Sequence, residues 1–183
     1  MIFEDISPNF IWNPVDAKIA EKLIELDKTP EAIRYFSRVC NQLTDYSYWF
    51  FLSTLWVSYS GYSDLNLWKS LFSSNRPNKK TSIMKPSEMQ AFDRLPGIVK
   101  AYRAHRPGET DWISYTTDIE IAFRFARERK VDKVTQYMIP KGYITALFLR
   151  RGEKEIIVLD HRWAKKVCDI SERCGEDVKE SNT

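Results

Sequence analysis

From Asp16 to about Phe72 the apolar positions recur with the spacing of helices. Ile19, Leu23 and Ile24, with Asp27 closing the series, follow a period near 3.6 behind Asn13-Pro14, a helix start signal. Thr29-Pro30-Glu31 marks a second start, with Thr as cap, Pro in the first turn and an acid beside it. Ile33, Phe36, Val39, Cys40 and Leu43 then form one apolar face. A third helix is expected from Asp45 to Tyr59, stopped by Gly61, and Asp64 opens a short fourth through Leu71. Ser73 to Ser82 is polar, basic and Pro-containing, and reads as a mobile loop. Ser87 is expected to cap a short helix through Phe92, and Pro96-Gly97 to turn the chain.

After Gly97 the period moves towards two. Strands are expected at Ile98–Arg103, Trp112–Tyr115, Lys133–Ile139, Tyr143–Leu149 and Glu155–Leu159. Between them, Thr117-Asp118 caps a helix whose Ile119, Ala122, Phe123 and Ala126 share a face. Pro140-Lys141-Gly142 is a turn, and the residues after Cys174 form a polar tail expected to be disordered. The fold class is therefore α+β. Its expected parts are a helical segment over 1–97 packed on the core, a β core over 98–174 and a polar tail over 175–183.

Composition narrows the classes. With 183 residues, 43% of them hydrophobic and 29% charged, the chain suits a soluble globular domain with a helical extension. Six Gly and eight Pro exclude collagen-like and low-complexity classes. The 28 basic and 25 acidic side chains leave a net charge of +3, too weak by itself to indicate nucleic acid. Cys40, Cys168 and Cys174 form no CxxC motif and read as reduced thiols. His105 and His161 are the only histidines, so no zinc constellation can be written and no metal is expected. The N-terminus lacks a basic stretch of the signal-peptide kind. The longest apolar run, Tyr46–Tyr59, is 14 residues with three Ser and one Thr, too short to cross a bilayer. A cytoplasmic location without membrane contact is expected.

The chemistry concentrates in an ordered set in the second half: Tyr102-Arg103 ending a strand, Trp112-Ile113-Ser114-Tyr115-Thr116-Thr117-Asp118, a helix with Ala122 and Phe125-Ala126, and Arg151-Gly152-Glu153-Lys154-Glu155-Ile156-Ile157-Val158. Each piece alone has an ordinary reading as a surface charge, a helix cap or a solvated edge strand. Ser114 and Thr116 alternate on their strand, so their hydroxyls share a side, and Glu153 and Glu155 have the same spacing.

Together these segments resemble the NAD-dependent ADP-ribosyltransferase superfamily, in its Arg–Ser–Glu branch of the E-x-E type. The wording is closest to small phage and bacterial members carrying YRG, SWT and RGExE. The resemblance covers about Ile98 to Asp160, and Trp68-Lys69-Ser70-Leu71-Phe72 looks like the leader of those phage proteins. It implies split, mostly antiparallel sheets and NAD as substrate. Arg103 would hold its phosphate, the Ala104 backbone its nicotinamide amide, and Ser114 or Thr116 the catalytic carboxylate. Glu155 would stabilise the ribosyl cation and Glu153 would orient or deprotonate the acceptor, a protein arginine being favoured. The Tyr102 and Phe125 rings would wall the nicotinamide or adenine, although plain packing in the core is the simpler use for them. Two departures stand out: Ala104 replaces the family's Gly, and Tyr115 the phage members' Trp. His105 and Arg106 could line the NAD phosphates or be loop residues.

Two other functions fit the same residues. One is a degenerate transferase fold that binds a host target protein, using the Trp- and Tyr-rich helical half. The other is an NAD glycohydrolase or a nucleic-acid ADP-ribosyltransferase. The basic set Arg76, Lys79, Lys80 and Lys85 could meet nucleic acid, but a solvated loop accounts for it more simply.

Overall fold

Capping side chains set where the helices begin. The computed structural model describes residues 5–59, 61 and 64–171. The Asn13 carboxamide accepts the Val15 and Asp16 N–H groups at the start of α1 (Pro14–Glu25). Thr29 precedes α2 (Pro30–Val39), but its hydroxyl donates back to the Leu26 carbonyl rather than capping the helix. Thr44 caps α3 (Asp45–Ser58), and Asp64 caps α4 (Leu65–Phe72). Two more helices follow, α5 (Lys79–Ile83) and α6 (Pro86–Asp93). The first lies inside the stretch read as a loop; its Ser82 and Ile83 are buried although Lys79-Lys80-Thr81 gives no apolar face. The second starts at Lys85 rather than Ser87, its Glu88 carboxylate accepting the Lys85 N–H.

The chain divides into two units, Met1–Arg94 and Leu95–Thr183. In the first, the aromatic-rich α3 supplies the centre. Trp49 and Leu52 are fully buried, as are Phe36 from α2, Phe72 from α4 and Ile83 from α5. Asp16 is buried where Thr44 donates both its N–H and its hydroxyl to it. Arg76 ties α3 to the loop before α5 by bonding the Leu43 and Cys40 carbonyls and Asp45. The Trp49 indole donates to the Pro77 carbonyl at 3.0 Å. Val39 and Ile24, expected on apolar faces, are half-buried and exposed respectively.

The second unit is a six-stranded antiparallel sheet with one helix. Its strands are β1 (Ile98–Arg103), β2 (Ser114–Thr116), β3 (Lys133–Pro140), β4 (Ala146–Phe148), β5 (Glu155–Ile157) and β6 (Lys165–Ser171), and α7 (Ile119–Arg129) connects β2 to β3. The order across the sheet is β4-β5-β2-β1-β3-β6. The α+β class holds, but the strands make one sheet rather than two. The join between its halves is narrow: β1 pairs with β3 along six rungs and β2 with β5 along three, whereas β1 and β2 share only Tyr102↔Thr116. Tyr143 lies in a 3₁₀ turn, Lys141–Tyr143, so the strand expected from Tyr143 begins only at Ala146. The edge strand β6, exposed along most of its length, was not expected. Helix α7 covers β1, β2 and β3 with Ala122, Phe123 and Ala126. Among the described residues no helix is long and apolar enough to cross a membrane. Cys174 and the 175–183 tail lie outside the described residues.

Candidate functional site

Arg103 is the last residue of β1, and the alternation of that strand turns it away from the α7 side, where Tyr102 packs. It is nonetheless only 9% exposed. A buried guanidinium needs a carboxylate, and Glu109 supplies it. Arg103 Nε donates to Glu109 Oε2 at 2.9 Å and Nη2 to Oε1 at 2.5 Å, a two-pronged pair. A turn brings Glu109 back: Pro107 and Gly108 (φ +73°) sit at its centre, and the Glu109 N–H bonds the Arg106 carbonyl. Burial opposes ionisation of Glu109, but hydrogen bonds from His105 and Arg103, with the Arg103 charge, outweigh it and lower its pKa to about 2.

The same carboxylate orders His105. Nδ1 stands 2.9 Å from Glu109 Oε2, so this nitrogen carries the proton when the ring is neutral, and Nε2 accepts from the Tyr137 hydroxyl at 2.6 Å. The Trp112 ring meets His105 edge-on at 4.3 Å and stacks on His161 at 4.7 Å, while its indole N–H donates to the Tyr115 hydroxyl. His161 is held in turn by Asp111. Burial is the main force raising the Tyr137 pKa, to about 12, and it pushes the Tyr115 phenol up as well. His105 is thus a positioned side chain. A cavity of about 200 Å³ opens beside it, lined by Arg106, Val131, Lys133 and Thr135 among others. Ligand clefts are commonly about 300–1,000 Å³.

The seam between β1 and β2 links this network to the expected carboxylates. Two residues beyond Tyr102↔Thr116 an extended ladder would pair Ala104 with Ser114, but the ladder has already stopped. Both carbonyls are met by arginines instead. Arg103 Nη1 donates to the Ser114 carbonyl at 2.6 Å, and Arg129 of α7 donates to the Ala104 carbonyl. The Ser114 hydroxyl donates to Glu155 Oε1 at 2.5 Å. Arg103, Ser114 and Glu155 therefore form one connected chain, with the Ser114 backbone meeting Arg103 and its side chain meeting Glu155. Register agrees: Thr116 pairs with Glu155 and with Tyr102, so Ser114, Thr116 and Glu155 share the α7 face, opposite Arg103.

Glu153 and Glu155 do not sit on one regular strand. Gly152 and Lys154 have positive φ, so the strand starts only at Glu155. Their carboxylates still meet at Arg151, whose Nη2 lies 2.7 Å from Glu153 and 3.8 Å from Glu155. Arg124 of α7 adds a 3.5 Å contact to Glu153. The Thr116 hydroxyl donates to the Glu153 carbonyl at 2.7 Å and accepts the Asp118 N–H, tying β2 to the turn before β5 and to the start of α7. It does not touch the Glu155 carboxylate through any of these bonds.

The remaining expected residues have structural surroundings. Tyr102 and Ala104 are buried in a cluster with Ala122, Phe123, Ala126 and Val134, and Phe125 packs against it beneath the Arg124 and Arg129 guanidiniums. Tyr102 is packed as core, Phe125 is half-buried against it, and the Ala104 carbonyl already has a donor. Glu109, Tyr137 and Arg151 were not anticipated. The signal for the first was present: Pro107-Gly108 reverses the chain and returns an acid to a buried arginine. No family model, no curated protein and no solved structure matches the chain.

Proposed function

We propose that this protein is an NAD-dependent mono-ADP-ribosyltransferase that passes ADP-ribose to a macromolecular acceptor, a protein arginine being favoured. The observation that carries the reading is the chain from Arg103 through Ser114 to Glu155, with the other glutamate, Glu153, meeting Arg151 as Glu155 does. It joins residues 11 and 41 positions apart in sequence at the place where the sheet loses its ladder.

In this reading NAD lies over the seam. Three of the five guanidinium N–H groups of Arg103 are taken by Glu109 and Ser114, and the side chain lies on the face opposite Glu155, so a phosphate grip by Arg103 would require NAD to reach past the sheet end. The larger duty of Arg103 is to hold β2 so that the Ser114 hydroxyl fixes the Glu155 carboxylate. The bond from ribose C1′ to the nicotinamide nitrogen breaks, and nicotinamide leaves with the electron pair. Glu155 stabilises the cationic sugar that develops, as a carboxylate does in glycoside cleavage. The acceptor nitrogen attacks C1′ and its proton passes to Glu153. Arg151 and Arg124 must yield Glu153 for that step. The work is assigned to the cytoplasm of the cell in which the protein acts.

A second reading is favoured by one observation. Glu109 and Arg129 occupy the donor and acceptor that NAD would use at Arg103 and Ala104. A transferase fold turned into a binding protein for a host target would keep these groups closed on one another. Labelled NAD incubated with bacterial lysate separates the two. Transfer of label to a macromolecule, reduced on the order of 10²–10³-fold in Glu155→Gln, supports the enzyme. Free ADP-ribose as the only product would identify a glycohydrolase. No turnover, together with a stoichiometric complex that survives Glu155→Gln, would establish the binding protein.

A further inference from the structure

A second surface of the sheet unit combines exposed rings with two exposed lysines. Tyr143 and Trp163 stack with their centroids 3.7 Å apart and their planes 8° from parallel. They remain 41% and 46% exposed. Each comes from its own 3₁₀ turn, Lys141–Tyr143 and His161–Trp163. The stack uses one face of each ring, and large flat apolar surface left in water is the form in which rings receive other rings.

The neighbouring rungs carry the charge. Lys100 pairs across β1–β3 with Met138, and Met138 pairs across β3–β6 with Lys165. The two lysines therefore flank β3 at one level of the sheet, about 10 Å apart by strand spacing, and cross-strand partners share a face. Both are exposed, and among the described residues no carboxylate pairs with either. Arg162 and Lys166 nearby differ in this respect, being matched by Asp160 and Asp169. Chain continuity sets the rings beside the lysines. Trp163 enters Lys165 through Ala164, and the turn holding Tyr143 follows Pro140, the partner of Ile98, with its Lys141 N–H held by the Gly97 carbonyl.

We propose that this aromatic step and its flanking Lys100 and Lys165 bind single-stranded nucleic acid, a base stacking on an outer ring face and backbone phosphates lying over the lysines. Two exposed cations about 10 Å apart can each meet a phosphate, and a polyanion with flat bases satisfies both halves of the surface. A duplex keeps its base faces stacked within itself and cannot use the rings.

The proposal is independent of NAD chemistry. Its test is fluorescence anisotropy of a labelled oligothymidylate with the full chain, at low and at physiological salt. Trp163→Ala should weaken binding roughly tenfold or more, the worth of one base–aromatic stack, with Trp163→Phe falling between it and wild type. Lys100→Ala and Lys165→Ala should each flatten the log–log salt dependence by about 0.7. A duplex of the same length should bind more weakly. Wild-type affinity in Trp163→Ala, equal affinity for duplex, or no binding at low salt would overturn the proposal. So would capture of a protein by the same rings with the oligonucleotide ignored.

Discussion

Glu109→Gln is the sharpest test of how the sheet unit is held. The substitution keeps the size of the side chain but removes the charge that Arg103 and His105 share. It also turns an amide NH₂ towards a guanidinium that can only donate. Lowering the carboxyl from its ordinary 4.5 to about 2 is worth about 3 kcal/mol at about 1.4 kcal/mol per pH unit. Loss of one partner from a buried ion pair commonly costs about 3–5 kcal/mol, so the two routes agree. The sign follows from linkage. The folded state binds the proton less readily than the unfolded chain, so the stabilisation is complete above pH 4.5 and drains away as pH falls towards 2. Wild type and variant should differ by about 3 kcal/mol at pH 7 and by only about 1 kcal/mol at pH 3. Urea unfolding followed by tryptophan fluorescence at the two pH values measures both gaps, and all other carboxylates cancel in the comparison. A gap that stays the same at pH 3, or widens, would refute an ionised Glu109 as the partner of Arg103.

Ser114→Ala deletes the hydroxyl that donates to Glu155 but leaves the Ser114 carbonyl, which meets Arg103. It should cost about 1.5–3 kcal/mol of stability and lower nicotinamide release while NAD affinity changes little; unchanged release would remove Ser114 from the site. Phe36→Ala empties a fully buried position against Tyr48 in the helical unit. A loss of about 3–5 kcal/mol is expected in denaturant unfolding, and a loss below about 1 kcal/mol would mean the core around α2 is loosely packed.

What the sequence disclosed, and what it hid, follows from the range of the forces involved. Asn13-Pro14, Asp64 and Asp118 marked helix starts because a cap satisfies N–H groups two or three residues away, within reach of a local reading. Thr29 marked its helix as well, through Pro30, even though its hydroxyl turned elsewhere. Helix α5 had no local signature, since only packing within its own unit buries Ser82 and Ile83. Strand β6 was hidden for the opposite reason: an edge strand exposed along most of its length has no buried face to alternate with. At the site, Arg103, Ser114 and Glu155 were legible as a set because a familiar pattern of motifs named them. Their partners were not. Glu109, Arg124, Arg129 and Arg151 are ordinary surface-type residues in sequence, and only the fold turns them towards buried groups.

The broken ladder explains why those partners cluster where they do. β1 pairs with β3 over six residues and β2 with β5 over three, while β1 ends at Arg103 and meets β2 only at Tyr102 and Thr116. One rung survives, and the carbonyls of Ala104 and Ser114, two residues beyond it, would be left without donors. Arginine side chains replace the missing backbone donors at both. A guanidinium drawn into that role is buried, and so requires a carboxylate of its own, which Glu109 provides for Arg103. The charged residues at this end of the sheet thus serve first to satisfy the backbone where the β1–β2 pairing ends. Chemistry on a dinucleotide would use groups that the fold had already been obliged to bring together.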